Sequence, residues 1–165
     1  MVNRNLTLFA ALGLLAACSK APQQSDAGAP QYLKVHSVQQ LMQQVVDPEA
    51  QVYWHAVQYV SDDKGEHEIV PTTDEEWQTT RTAAATVAEM GNLLMTPLYS
   101  EGRGKDWMDF SKGMVAMGQK AEKAAADRDV DAIFAVGGDL YNVCSACHMA
   151  YLPQEEAAKA NADQP

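Results

Sequence analysis

The chain has 165 residues, with 22 acidic side chains against 12 basic ones and a formal charge of −10. That length suits one domain with appendages, and 47% hydrophobic residues place it among globular rather than disordered chains. The Lys/Arg footprint that a phosphate backbone requires is missing, which argues against nucleic acid as a partner. The three cysteines leave one over from any pair.

Residues 1–17 read as an export signal. Arg4 gives a short positive start, and the twelve residues from Leu6 to Ala17 are apolar. As a helix they would span about 18 Å, short of a hydrocarbon core of roughly 30 Å. The run ends Leu14-Leu15-Ala16-Ala17-Cys18, which resembles the lipobox of bacterial lipoproteins. That resemblance implies cleavage before Cys18 and lipidation of Cys18, and so attachment to a membrane through a lipid anchor. The alternative is an ordinary signal peptide with Cys18 an incidental thiol. Ser19, by the sorting habits of enteric lipoproteins, favours the outer membrane. A chain starting at Cys18 has 148 residues and a charge of −11. Residues 18–35 are small, polar and Pro-bearing and read as a flexible tether.

A helical domain is expected over 36–153. Ser37-Val38-Gln39-Gln40 fits a capping box, and Val38, Leu41, Met42 and Val45 share a helical face. Pro48 must kink this helix or restart it with Asp47 as cap. Val52, Trp54, Ala56 and Val57 continue it to about Tyr59, and residues 61–72 read as a polar loop. A second capping box, Thr73-Asp74-Glu75-Glu76, opens a helix with the stripe Trp77, Ala84, Val87, Ala88, Gly91, Leu94 and Met95, closed by Pro97. A third helix is expected from about Asp106 to Ala126, with Trp107, Phe110, Met114, Met117 and Ala121 aligned. After the break Asp127-Arg128-Asp129, a fourth carries Val130, Ile133, Phe134, Gly137, Leu140, Tyr141, Cys144, Cys147, His148 and Tyr151 at spacings of three and four. Residues 154–165 read as a polar tail. No segment alternates convincingly with period two, so no sheet is expected; the fold class is all-α, an antiparallel four-helix bundle.

Cys144-Ser145-Ala146-Cys147-His148 carries the chemistry. C-x-x-C-H is the attachment pattern of c-type haem. On a helix, positions i and i+3 share a face, so two thiols can reach two vinyl groups of one porphyrin, and His148, at i+4, projects from that face toward the iron. Three alternatives compete. A thioredoxin-like C-x-x-C belongs near the start of a βαβ unit; a zinc site needs a fourth ligand, and His36, His55 and His67 lack ligand spacing; a disulfide across this turn would be strained and leave His148 without a role.

A C-x-x-C-H near the end of an exported four-helix chain resembles the class II cytochromes c, which include cytochrome c prime, over about residues 36–152. The resemblance implies one covalent haem c, with Cys144 and Cys147 as attachment points and His148 as the proximal ligand. Family members often follow the motif with an aromatic and a basic residue; here Tyr151 matches the aromatic and Leu152 replaces the basic one. In the low-spin branch a Met on the first helix is the second iron ligand, and Gln40-Leu41-Met42 resembles that stretch, which makes Met42 the candidate. A thioether is a soft ligand that favours ferrous iron. The alternative is that Met42 is core, as Met readily is. His36 precedes the capping box and belongs at the helix mouth.

Trp54, Trp77, Trp107 and Phe110 read as core and pocket packing, and the acidic clusters at 62–68 and 74–76 as solvated loop and helix-start charges. No nucleophile–base pair or phosphate loop is visible, so no conventional enzyme is expected. The expected function is one-electron transfer in the bacterial periplasm with low-spin His/Met haem. The alternative is five-coordinate iron that binds NO or CO. The acidity points to redox partner proteins with a basic docking face, and the resemblance admits a homodimer.

Overall fold

A computed structural model describes residues 32–152. The signal segment, Cys18, most of the tether and the tail lie outside the described residues. The domain is mostly helical. Helix α1 (Val38–Leu41) passes through a π turn (Met42–Val46) into α2 (Asp47–Ala56); α3 (Asp74–Leu94), the short α4 (Pro97–Ser100), α5 (Gly104–Asp127) and α6 (Val130–Tyr151) follow. No helix among the described residues is long and apolar enough to cross a membrane.

Of the two outcomes expected at Pro48, a kink or a restart capped by Asp47, the restart does not occur: the helix continues through the π turn. Asp47 is helical (φ −62°, ψ −48°) and is no cap; its N–H donates five residues back, to the Met42 carbonyl. Proline lacks the N–H for an i→i−4 bond, and its ring crowds the carbonyl four residues earlier. The wide turn just ahead of Pro48 accommodates both. It also inserts one extra residue into the helical phase. Beyond it Val46, Ala50, Tyr53 and Val57 are buried: Val57 was expected there, whereas Val52, expected with it, is 39% exposed and its neighbour Tyr53 0%.

The segment 58–69 is an antiparallel hairpin, not a helix end and a loop: β1 (Gln58–Asp62) pairs with β2 (Gly65–Ile69), Tyr59 opposite Glu68. Asp62 Oδ1 accepts from the Lys64 N–H (2.9 Å), and Gly65 takes φ +107°, a value that suits glycine. The hairpin escapes a search for alternation because β2 is exposed throughout, so no apolar face marks it.

Both expected capping boxes are present. At the second, the Glu76 carboxylate accepts from the N–H groups of Thr72 (2.7 Å) and Thr73 (2.9 Å) and from the Thr72 hydroxyl (3.0 Å). The backbone bond from Thr72, then that from Thr73, holds its pKa down at about 2.

Helices α3 and α5 run antiparallel and nearly touch backbone to backbone. A Cβ on Gly91 would meet the Ser111 carbonyl at 2.9 Å, and one on Gly118 would meet the Ala88 N at 2.7 Å; further along, Arg81 bonds Glu122 (3.0 Å). Arg128 in the left-handed conformation and Asp129, whose carboxylate accepts from the Ala132 N–H (2.9 Å), turn the chain from α5 into α6. The α6 helix runs antiparallel to α2: Trp54 meets Gly137, whereas Met42 lies near Cys144. The core has two clusters. One centres on Leu41, Val46, Leu94, Trp107, Met114 and Leu140, the other on Tyr53, Trp77, Ala84, Ala121 and Ile133. Full burial of Ile133 or Leu140 contributes about 1.5–3 kcal/mol each.

Two predictions test this packing. Gly118→Ala should destabilise by about 1–3 kcal/mol, since helix backbone blocks the new methyl. Gly138→Ala, with open space at its Cβ in the middle of α6, should stabilise by about 0.5–1 kcal/mol; urea denaturation measures both. Glu76 also makes stability depend on pH. Its folded pKa is below the ordinary 4.5, so its contribution is present above about 4.5 and lost as pH falls toward 2. Glu76→Gln should therefore lower the melting temperature at pH 7 and flatten its fall between pH 4.5 and 2.

Candidate functional site

The last two turns of α6 and the π turn of the first helix meet across an apolar cavity. It is lined by Met42 from the first residue of the π turn and by Cys144, Cys147 and His148 from α6. These are the four site residues of the domain that the sequence singles out, and they come together from opposite ends of it. The i, i+3, i+4 spacing puts the α6 trio on one face, as a continuous helix requires. The cavity volume is about 80 Å³.

Two tryptophans shape the walls, and each indole N–H is pinned. Trp54 donates to the Gly137 carbonyl (3.0 Å), and Trp107, buried, donates to the Leu94 carbonyl (2.7 Å). Tyr151 backs the wall formed by Trp107 and Phe110. Its hydroxyl donates to the Arg103 carbonyl (3.0 Å), and its ring stands edge-to-face on Trp107 (5.2 Å) and Phe110 (6.4 Å). The Arg103 guanidinium lies over the other part of this stack, 4.2 Å from the Trp107 ring centre.

Cys144 and Cys147 are half-buried free thiols. Burial, with the neighbouring Cys147 adding to it, pushes the Cys144 thiol up to about 11. Burial raises Cys147 as well, while the Arg103 cation pulls it back down. His148 is exposed although it lines the cavity, which places it at the mouth; Met42 is half-buried. The arrangement brings two thiols, a thioether and an imidazole to one water-poor space, a donor set suited to covalent attachment and to a soft transition-metal ligand field.

Other sequence candidates fall elsewhere. His36 is held outside the cavity wall, its carbonyl accepting from the Tyr99 hydroxyl (3.2 Å). His55 Nδ1 lies 2.9 Å from the Gln51 carbonyl, and His67 is 3.9 Å from Asp62 in the hairpin. Trp77 belongs to the second core cluster, away from the site. Among the described residues no group of three or more His, Cys, Asp or Glu side chains is arranged to hold a metal ion.

Sequence reasoning missed two polar residues of the lining, Asp47 and Ser111. Asp47 was hidden by its reading as a helix cap. Ser111 sits one turn after Trp107 and is buried, its hydroxyl donating to the Trp107 carbonyl (2.8 Å); that position on the Trp107 face was the available signal. Arg103 was also missed, because nothing in the local pattern ties a connector residue to a motif so far along the chain.

The chain matches no protein-family model, no curated protein and no solved structure.

Trp107→Phe tests the wall. It should leave the Leu94 carbonyl unpaired and destabilise by about 1–3 kcal/mol in urea denaturation, with the helical circular dichroism of the native state unchanged.

Proposed function

We propose that this protein is a monohaem c-type cytochrome that transfers single electrons, folded as an antiparallel four-helix bundle and resembling the class II cytochromes c. The observation that carries the reading is the single cavity bordered by Met42, Cys144, Cys147 and His148. The residues fit the group. Both thiols are free and on one helix face, and the walls are apolar. The cavity, at about 80 Å³, is smaller than a porphyrin, so the donor set rather than the volume carries the fit.

Cys144 and Cys147 would hold the haem as thioethers, with His148 the proximal ligand and Met42 the second. When bound, the haem iron supplies a one-electron couple. The chain's own residues set its poise. The Met42 thioether favours the ferrous state, and Leu94, Trp54, Trp107 and Phe110 keep water from the site, which disfavours added positive charge. The pinned indoles resist rearrangement when the charge changes. The export signal and lipobox of residues 1–18 support a periplasmic location on a lipid anchor at Cys18, with the outer membrane favoured by Ser19. Tethering would raise the effective concentration of partners near that membrane.

Absorption spectra of the purified protein in both redox states test the reading. Expected are a covalently retained haem, lost in the Cys144→Ala/Cys147→Ala double variant, and a low-spin ferric spectrum with the far-red band of Met ligation. Met42→Ala should convert it to high spin. A native high-spin spectrum that binds CO promptly would replace electron transfer by NO or CO binding. Absence of covalent haem after expression with a c-type maturation system would overturn both.

A further inference from the structure

On the far side of Trp54 from the cysteine cavity, the protein displays aromatic rings to solvent. Phe134 is 55% exposed, and Tyr59 and Tyr141 are each 48% exposed. They form one group: Tyr59 stands edge-to-face on Phe134 (4.9 Å), and Tyr141 edge-to-face on Trp54 (6.0 Å). A second hollow of about 290 Å³ lies among Trp54, Phe134 and Tyr141, with Gly137 and Gly138 in its wall. Neither core cluster uses Phe134 or Tyr141. Large rings clustered at a surface and rimmed by polar groups are the composition of a binding patch.

The hairpin belongs to this surface. Two strands alone are marginal, and β1–β2 adds almost nothing to the core. It is fastened by Tyr59, through the Phe134 contact and a bond from its hydroxyl to Asp131 (3.3 Å). Glu68, directly across the ladder from Tyr59, and Asp131 border the rings with negative charge. Across α2, the hairpin and α6 there are eight carboxylates, and Lys64 is the single Lys or Arg. The cations sit elsewhere: α5 alone carries Lys105, Lys112, Lys120 and Lys123.

We propose that the face made by α2, the hairpin and α6, centred on Tyr59, Phe134 and Tyr141, is the docking surface for an electron-exchange protein with an apolar centre and a Lys/Arg rim. As an electron-exchange site the proposal rests on the haem reading above. Charge complementarity selects the occupant: the carboxylates steer a basic partner, and the rings give the contact its apolar centre. Trp54 makes the face suitable for exchange, because its indole borders both the aromatic hollow and the cysteine cavity.

The test is a titration of the isotope-labelled, reduced full-length protein with a basic soluble cytochrome c as probe, followed by amide chemical shifts. Shifts should concentrate at residues 58–69 and 131–142. Glu68→Lys and Phe134→Ser should each weaken binding about tenfold at low ionic strength, and Glu89→Lys, an equal charge change on α3, less than twofold. Both main variants are exposed, and reduction by a small neutral reductant should proceed at the native rate in each, marking an intact interior. Shifts concentrated on α3 or α5, or equal weakening by Glu89→Lys and Glu68→Lys, would overturn the docking face. The haem spectrum of the same samples separates the two readings. Clustered shifts on a chain without haem would leave the basic-protein surface standing and remove electron exchange, while haem with shifts elsewhere would remove the surface alone.

Discussion

Proline 48 has no N–H to donate, and the first helix is built around that lack. An ordinary α-helical turn would press its ring against the carbonyl four residues back. The chain instead widens the preceding turn, so that Asp47 bonds the Met42 carbonyl and the helix continues. The one added residue rotates everything after it. Met42 lines the cavity opposite the cysteines of α6, Val46 and Ala50 continue that wall beyond the turn, and Tyr53 is buried one turn further on. A single helix thereby serves both core clusters, and Trp54 stands where the cysteine cavity meets the aromatic hollow.

The cavity is held by groups that are themselves held. The Trp107 and Trp54 indoles are each fixed by a carbonyl of another helix, and Tyr151 bonds the Arg103 carbonyl while packing against Trp107. A site built on helices and locked by such bonds keeps its geometry better than one built on loops. In the proposed haem protein this stiffness serves electron transfer, because little has to move when one charge is added. Arg103 brings a cation close to Cys147.

The capping boxes at Ser37 and Thr73, the stripe of α3, the line Ile133, Gly137 and Leu140 of α6 (though not Phe134 and Tyr141, which were read with it) and the turn at Asp127–Asp129 were legible because each is written in local signals: a hydroxyl three residues before an acid or amide, or apolar residues at three and four. The hairpin was not, because β2 is exposed throughout and carries no apolar alternation, and the helical pattern read through Trp54 and Val57 ran on to about Tyr59 instead. The π turn was not, because a proline announces that the helix must adapt without saying whether it will break, kink or widen.

The chemistry-bearing residues were determined by sequence alone: spacing places Cys144, Cys147 and His148 on one face of a helix, and composition sets the strong negative charge. Tertiary structure decided what that face looks at. It set Met42 against the cysteines, drew Arg103 and Ser111 to the same place, and left the rings of Phe134 and Tyr141 in solvent. The physical reason is that a helical pattern states which side chains lie together along one axis. Which faces meet depends on the phase of each helix and on how closely backbones approach. Those were settled here by a widened turn before Pro48 and by the glycines between α3 and α5, each of which has meaning only once its neighbour is in place.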